Sequence, residues 1–195
     1  MARVYGIKKK LSLNNVDEKI IKEIIGNEDL VDIIARMEKL LDPDMMHEIL
    51  DSCACGGGQE FLKQCKKIGK DLTGKSLDEK VNHLNNNIFD SEKIILNGNN
   101  LLTGTFSYKG NKKYKCVCSA AVKKGMTVSD LTGDADDRAM PLSYCFCCAG
   151  SFRRHLQLQL GVGLKTKEIV SSPINSKGQK PCEFIFSVLL QREKD

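Results

Sequence analysis

Three thiols fall within four residues in the run Tyr144-Cys145-Phe146-Cys147-Cys148-Ala149-Gly150. Read as a helix start, this run lies where the positive end of the helix dipole favours thiolate, the form of cysteine that attacks electrophiles and binds metal ions. At helical spacing Cys145 and Cys148 share a face with Phe152, while Cys147 points elsewhere and suits a small core residue. His155 lies on the face of Cys148 and Phe152, which makes Cys148 and His155 a candidate nucleophile–base pair. Later in the chain, Cys182 opens a segment in which Cys182, Phe184, Phe186 and Val188 alternate onto one face of a strand.

Two Cys-x-Cys pairs add to this set. Within a strand, Cys116 and Cys118 point the same way and could grip one ion together. Cys53 and Cys55 stand at a helix end before Gly56-Gly57-Gly58, where the backbone can wrap closely around a ligand and the next helix adds positive potential. Zinc sites more often use Cys-x-x-Cys, so these pairs are suggestive only together with the Cys145 cluster. Cys65 shares a helical face with Phe61 and Ile68 and reads as core. His47 and His83 lie on helices among apolar neighbours and read as ordinary packed or surface histidines.

Composition narrows the chemistry. The cysteines number nine, which is odd, and the first ten residues carry no apolar signal segment. Both features suit a reducing cytoplasm and thiolate or metal chemistry rather than a disulfide framework. No stretch approaches the roughly 18 apolar residues of a membrane span. The net charge of +5 comes from 30 basic and 25 acidic residues spread along the chain, which describes a solvated surface rather than a nucleic-acid patch. Trp is absent and aromatics make up 6%, so a base-stacking platform is not expected. There is no phosphate loop, calcium loop, Gly-x-Ser-x-Gly or His-Glu-x-x-His.

The elements that must position these groups follow from periodicity. Residues 14–50 read as helical, with a stop at Gly26-Asn27 and a further helix opened by Asp42 as N-cap and Pro43 at its first position. Helices are also expected from Gln59 to Ile68 and from the capping box Ser76-Leu77-Asp78-Glu79. Strands are expected at 93–96 and 101–108 around the turn Asn97-Gly98-Asn99-Asn100, then from Tyr114 to Ser119. A loop over 123–141 precedes a helix over 144–160 ending at Gly161, and strands at about 164–171 and 182–190 complete the chain. The expected fold class is α+β: helical residues 1–90, then residues 91–195 as an antiparallel sheet with one long helix packed on it, together one compact domain.

The segment from 145 to 186 resembles the C-terminal half of the 4-vinyl-reductase-type, or hydrocarbon-binding, domain. In that family a Cys stands five residues before a Gly at a helix start; a strand with Glu-x-x-Cys follows, then Gly and Cys-x-Phe. Cys145 and Gly150, Glu168, Gly178 and Cys182-Glu183-Phe184 match this order, with Ser171 where the family carries its Cys. The resemblance implies zinc held by Cys145, Glu168 and Cys182 beneath a small-molecule pocket. Cys147, Cys148, Cys116 or Cys118 could fill the fourth position. The whole chain also resembles uncharacterised cysteine-rich bacterial proteins.

The expectation is therefore a cytoplasmic zinc-binding domain that binds or senses a small molecule, apolar or sulfur-containing, without nucleic acid or membrane partners and with a homodimer left open. The rival expectations are a cysteine-dependent hydrolase of a small substrate, and a thiol redox protein.

Overall fold

Three aspartates start the first half of the molecule. Asp17 accepts a backbone N–H from Lys19 and begins α2 (Glu18–Ile25); Asp29 accepts from Val31 and Asp32 and begins α3 (Leu30–Leu40). Asp42 accepts from Asp44 and Met45 and, with Pro43, begins α4 (Pro43–Ser52). Each such cap contributes about 1 kcal/mol by satisfying N–H groups that a helix start leaves without partners. α5 (Gln59–Asp71) and α6 (Leu77–Asn87) follow. The capping box forms at α6: Glu79 accepts from the Ser76 backbone N–H and hydroxyl, and the Ser76 hydroxyl accepts from Glu79 N.

The computed structural model describes residues 2–27, 29–53, 58–87, 92–98, 100–107, 109–110, 113–114, 116 and 140–189. An additional helix, α1 (Ala2–Leu13), precedes the expected ones. It is held by Val4, Ile7 and Leu11, which recur at helical spacing and are buried, while lysines occupy much of the rest of its surface.

Four antiparallel strands form one sheet in the order β1 (Glu92–Asn97), β2 (Leu101–Phe106), β6 (Cys182–Leu189), β5 (Gly163–Ser171). The expected turn joins β1 to β2, with Asn97 paired to Leu101. β3 (Lys109–Gly110) and β4 (Lys113–Tyr114) make a separate two-stranded ribbon. Of the strand expected from Tyr114 to Ser119, Tyr114 lies in β4 and Cys116 in neither strand nor helix, and the remaining residues lie outside the described ones. Cys118, Cys55 and most of the expected loop over 123–141 lie outside the described residues.

The long helix α7 (Cys145–Leu160) follows a single 3-10 turn (Leu142–Tyr144) and ends at Gly161, whose φ of 67° gives the left-handed cap that only glycine adopts without strain. Phe152 on α7 stacks on Phe106 of β2, centroids 3.4 Å apart, so this face of the helix lies on the inner face of the sheet. On its other flanks α7 is crossed by α4 and α5 at two glycines. A Cβ on Gly150 would stand 2.1 Å from the Asp51 carbonyl oxygen, and one on Gly69 2.1 Å from that of Leu158. Backbone thus meets backbone at both crossings, which fixes where the helices sit. The side chain of Asn85 on α6 pairs both ways with the backbone of Ile94, closing the outer edge of β1. One apolar core runs from Val4 through Ile33, Met37 and Leu50 to Leu156, Phe184 and Phe186, joining the N-terminal helices to the sheet. No helix among the described residues is long and apolar enough to cross a membrane.

Candidate functional site

The turn at Gly161–Val162 sends β5 back along α7, so the residues at the start of α7 and those at the end of β5 belong to the same end of the molecule. Ser171 closes β5 there and Cys182 opens β6 there. Cys182 stands opposite Phe106 in the register. Phe106 carries Phe152, and Cys148 and Cys145 lie one and two turns before Phe152 on α7. Tyr114 of β4, two residues before Cys116, donates its backbone N–H to Gly178 O at 2.8 Å, which sets β4 against the loop that leads to Cys182. Cys116, Cys145, Cys148 and Cys182 are 9, 3, 8 and 2% exposed and belong to one apolar core.

Other residues singled out by sequence fall elsewhere. The Cys147 thiol donates to the carbonyl oxygen of Cys53 at 3.5 Å, on the α4 side of the helix. The two therefore form a neighbourhood separate from the face that meets the sheet. Cys53 itself caps α4, its backbone N–H bonding to Ile49 O and Leu50 O. Cys65 is fully buried, and its thiol is pushed up first by burial and then by the charge of Glu92. That direction disfavours thiolate, so Cys65 is an inert packing group.

Glu168 is exposed and pairs with Ile185, which alternates away from the buried Phe184 and Phe186. The register shift between Thr166 and Glu168 turns that carboxylate to the outer face, opposite to Cys182. Ser171 does lie beside Cys182: it is buried and its hydroxyl donates to Pro181 O at 2.9 Å. Of the donors the resemblance implies, Cys145 and Cys182 share an end of the fold on the inner side of the sheet, and Glu168 points to the outer face. Among the described residues, no three His, Cys, Asp and Glu side chains are gathered about one point at metal-binding spacing.

Cys148 and His155 are seven residues apart on one helix, about 10 Å along its axis. A nucleophile and its base must approach to about 3 Å, so α7 does not bring these two together. His155 turns toward α5, edge-on to Phe61 with centroids 4.7 Å apart. Among the described residues its Nε2 is buried without a hydrogen-bond partner, and burial, then the charge of Arg154, holds its pKa below the ordinary value.

A cleft of about 720 Å³ opens between α4 and the edge strand β5, with α7 behind it. Sequence reasoning did not single it out. Asp51 forms its floor: Arg153 donates to both carboxylate oxygens and Thr166 Oγ1 donates to Oδ1, tying α4, α7 and β5 together. Arg153 is further fixed by Gln157 Oε1 at 2.8 Å and Leu164 O at 3.4 Å. His47 stacks flat on Phe146, 3.8 Å between centroids and 12° between planes. Burial lowers the His47 pKa, partly offset by Asp44, Asp42 and Glu38. The readable signal was the run Asp44, His47, Glu48, Asp51, which at helical spacing makes one polar face on α4.

No family model, curated protein or solved structure matches the chain.

Proposed function

We propose that this chain is a zinc-binding domain that takes up a small molecule, the zinc being held by thiolates at the start of α7. The observation that supports this most is that Cys116, Cys145, Cys148 and Cys182, from three separate segments of chain, are all buried in one core, with the first turn of α7 and the first residue of β6 at the same end of the fold. A single buried cysteine is an ordinary small apolar residue. Four in one core, two of them in the first turn of a helix, make a soft donor set of the kind zinc selects. Cys145, Cys182 and Cys116 are the primary donors in this reading; they do not stand at metal-binding spacing in the structure, so the ion would have to draw them together. Cys148 is the fourth, with Cys118, two residues beyond Cys116, as its alternative.

A zinc ion with four thiolates has no open position and is structural. It would tie α7 to β6 and to the segment after β4, and metal binding of this kind adds directly to folding free energy. The small-molecule half of the reading is supported by the cleft beside α4, which is separate from the cysteines and within the size range of ligand sites.

Cobalt(II) substitution tests the metal centre. Tetrahedral thiolate coordination produces strong sulfur-to-cobalt charge-transfer absorption, reversed by adding zinc. The expected result is such a spectrum in the wild-type protein and its loss in Cys145→Ser and Cys182→Ser. A spectrum of octahedral cobalt in water, with no charge-transfer band, would overturn the reading.

A further inference from the structure

The walls of the cleft between α4 and β5 carry opposite charges. Asp44 and Glu48 project from α4 on one side, and Lys165 and Lys167 from β5 on the other. All four residues are exposed, and none is ion-paired among the described residues. The third charge of each sign is already used: Arg153 and Asp51 neutralise each other across the floor. What remains for a ligand is an acidic wall, a basic wall and a flat surface, the His47–Phe146 stack, among the lining groups.

We infer that this cleft binds a small zwitterion of the amino-acid class, its ammonium toward Asp44 and Glu48, its carboxylate toward Lys165 and Lys167, and its side chain against His47 and Phe146. This names a ligand class for the small-molecule half of the reading above and rests on that half alone; it does not require zinc. A simple anion would meet the two acids, and a simple cation the two lysines. Only a molecule carrying both charges answers both walls. The braced floor also gives such a ligand a fixed seat: Asp51 is held from α7 and β5, and Gly150 locks α4 against α7 at the same point. A site already in shape loses less affinity to ordering on binding.

The test uses the full chain and ligand-observed NMR, with the twenty free L-amino acids at millimolar concentration as probes. Phenethylamine and 3-phenylpropionate serve as one-charge analogues of phenylalanine. The expected result is saturable binding of at least one amino acid, aromatic ones foremost, with each analogue weaker by about tenfold, as expected for loss of a charge-assisted hydrogen bond. The double variants Lys165→Glu/Lys167→Glu and Asp44→Lys/Glu48→Lys should each weaken amino-acid binding by about tenfold or more while keeping the wild-type melting temperature and metal content, because all four side chains are exposed. No saturable binding by any of the twenty amino acids would overturn the inference. So would equal binding of phenylalanine and its analogues, or affinity unchanged in both double variants. Metal-free wild-type protein that still binds the amino acid would sink the zinc reading and leave this one standing.

Discussion

Phe152 lies stacked on Phe106 with ring centroids 3.4 Å apart, and Phe184 stands 5.9 Å from each of them. This trio joins the middle of α7 to the two central strands. Because Phe106 also faces Cys182 across β2 and β6, it sets the distance between the cysteines of the helix and that of the sheet.

Phe152→Ala should therefore destabilise the fold by about 3 kcal/mol, the low end of the loss for a fully buried aromatic, because Phe152 is partly buried. Urea denaturation measures it. Phe61→Ala, which removes a partly exposed ring, should lose much less. An equal loss in both would contradict the role given to the Phe106–Phe152 stack.

Gly69→Ala and Gly150→Ala test the two helix crossings. Each new Cβ would meet a backbone carbonyl oxygen at 2.1 Å, which no rotamer change relieves. A loss of about 3 kcal/mol is expected for each, or roughly 6–12 °C in melting temperature for a chain of this size. Gly6→Ala is the control, since nothing lies within 4 Å of a Cβ there.

The pH dependence of stability follows from His155 and His47. Burial holds both below the ordinary histidine value of 6.5, with Arg154 adding to the effect at His155 and Asp44, Asp42 and Glu38 opposing it at His47. Below that value the unfolded chain binds protons that the folded chain does not. Stability from these groups is therefore full above about pH 7 and falls as the pH drops through the interval down to the folded-state values. Melting temperatures near pH 7.5 and 5.5 should show the loss, and His155→Gln should lessen it. A loss of the same size in His155→Gln would exclude His155 as a source.

Much of the fold was legible because local chemistry and tertiary packing agree. Asp17, Asp29 and Asp42 cap helices as their sequence context implies, Asn97–Asn100 turns a hairpin, Gly161 ends α7, and Cys145, Cys148 and Phe152 share a face. α1 was not legible because only Val4, Ile7 and Leu11 mark its buried side within a lysine-rich run. Strict alternation from the buried Leu164 would turn Glu168 inward; the irregularity after Thr166 turns it out, and no residue type signals that bulge. The cleft was hidden for a different reason. Its walls come from α4, α7 and β5, three segments far apart in the chain that the glycine crossing at Gly150 and the Asp51 network help to bring together.

Cys65 offers a check on the sorting of the thiols. Its burial and raised pKa predict that it is the slowest cysteine to react with iodoacetamide in the native protein, and that it reacts at an ordinary rate once urea unfolds the chain. Peptide mass spectrometry after timed alkylation reads this directly. Early labelling of Cys65 in the folded protein would contradict its assignment to the core.

Elemental analysis of the protein purified without added metal, together with Cys145→Ser, Cys182→Ser, Cys65→Ser and Glu168→Gln, decides whether zinc is held at the start of α7. About one zinc per chain is expected in the wild type, lost in Cys145→Ser and Cys182→Ser and retained in Cys65→Ser and Glu168→Gln. Metal-free wild-type protein, or zinc that survives in both Cys145→Ser and Cys182→Ser, would contradict it.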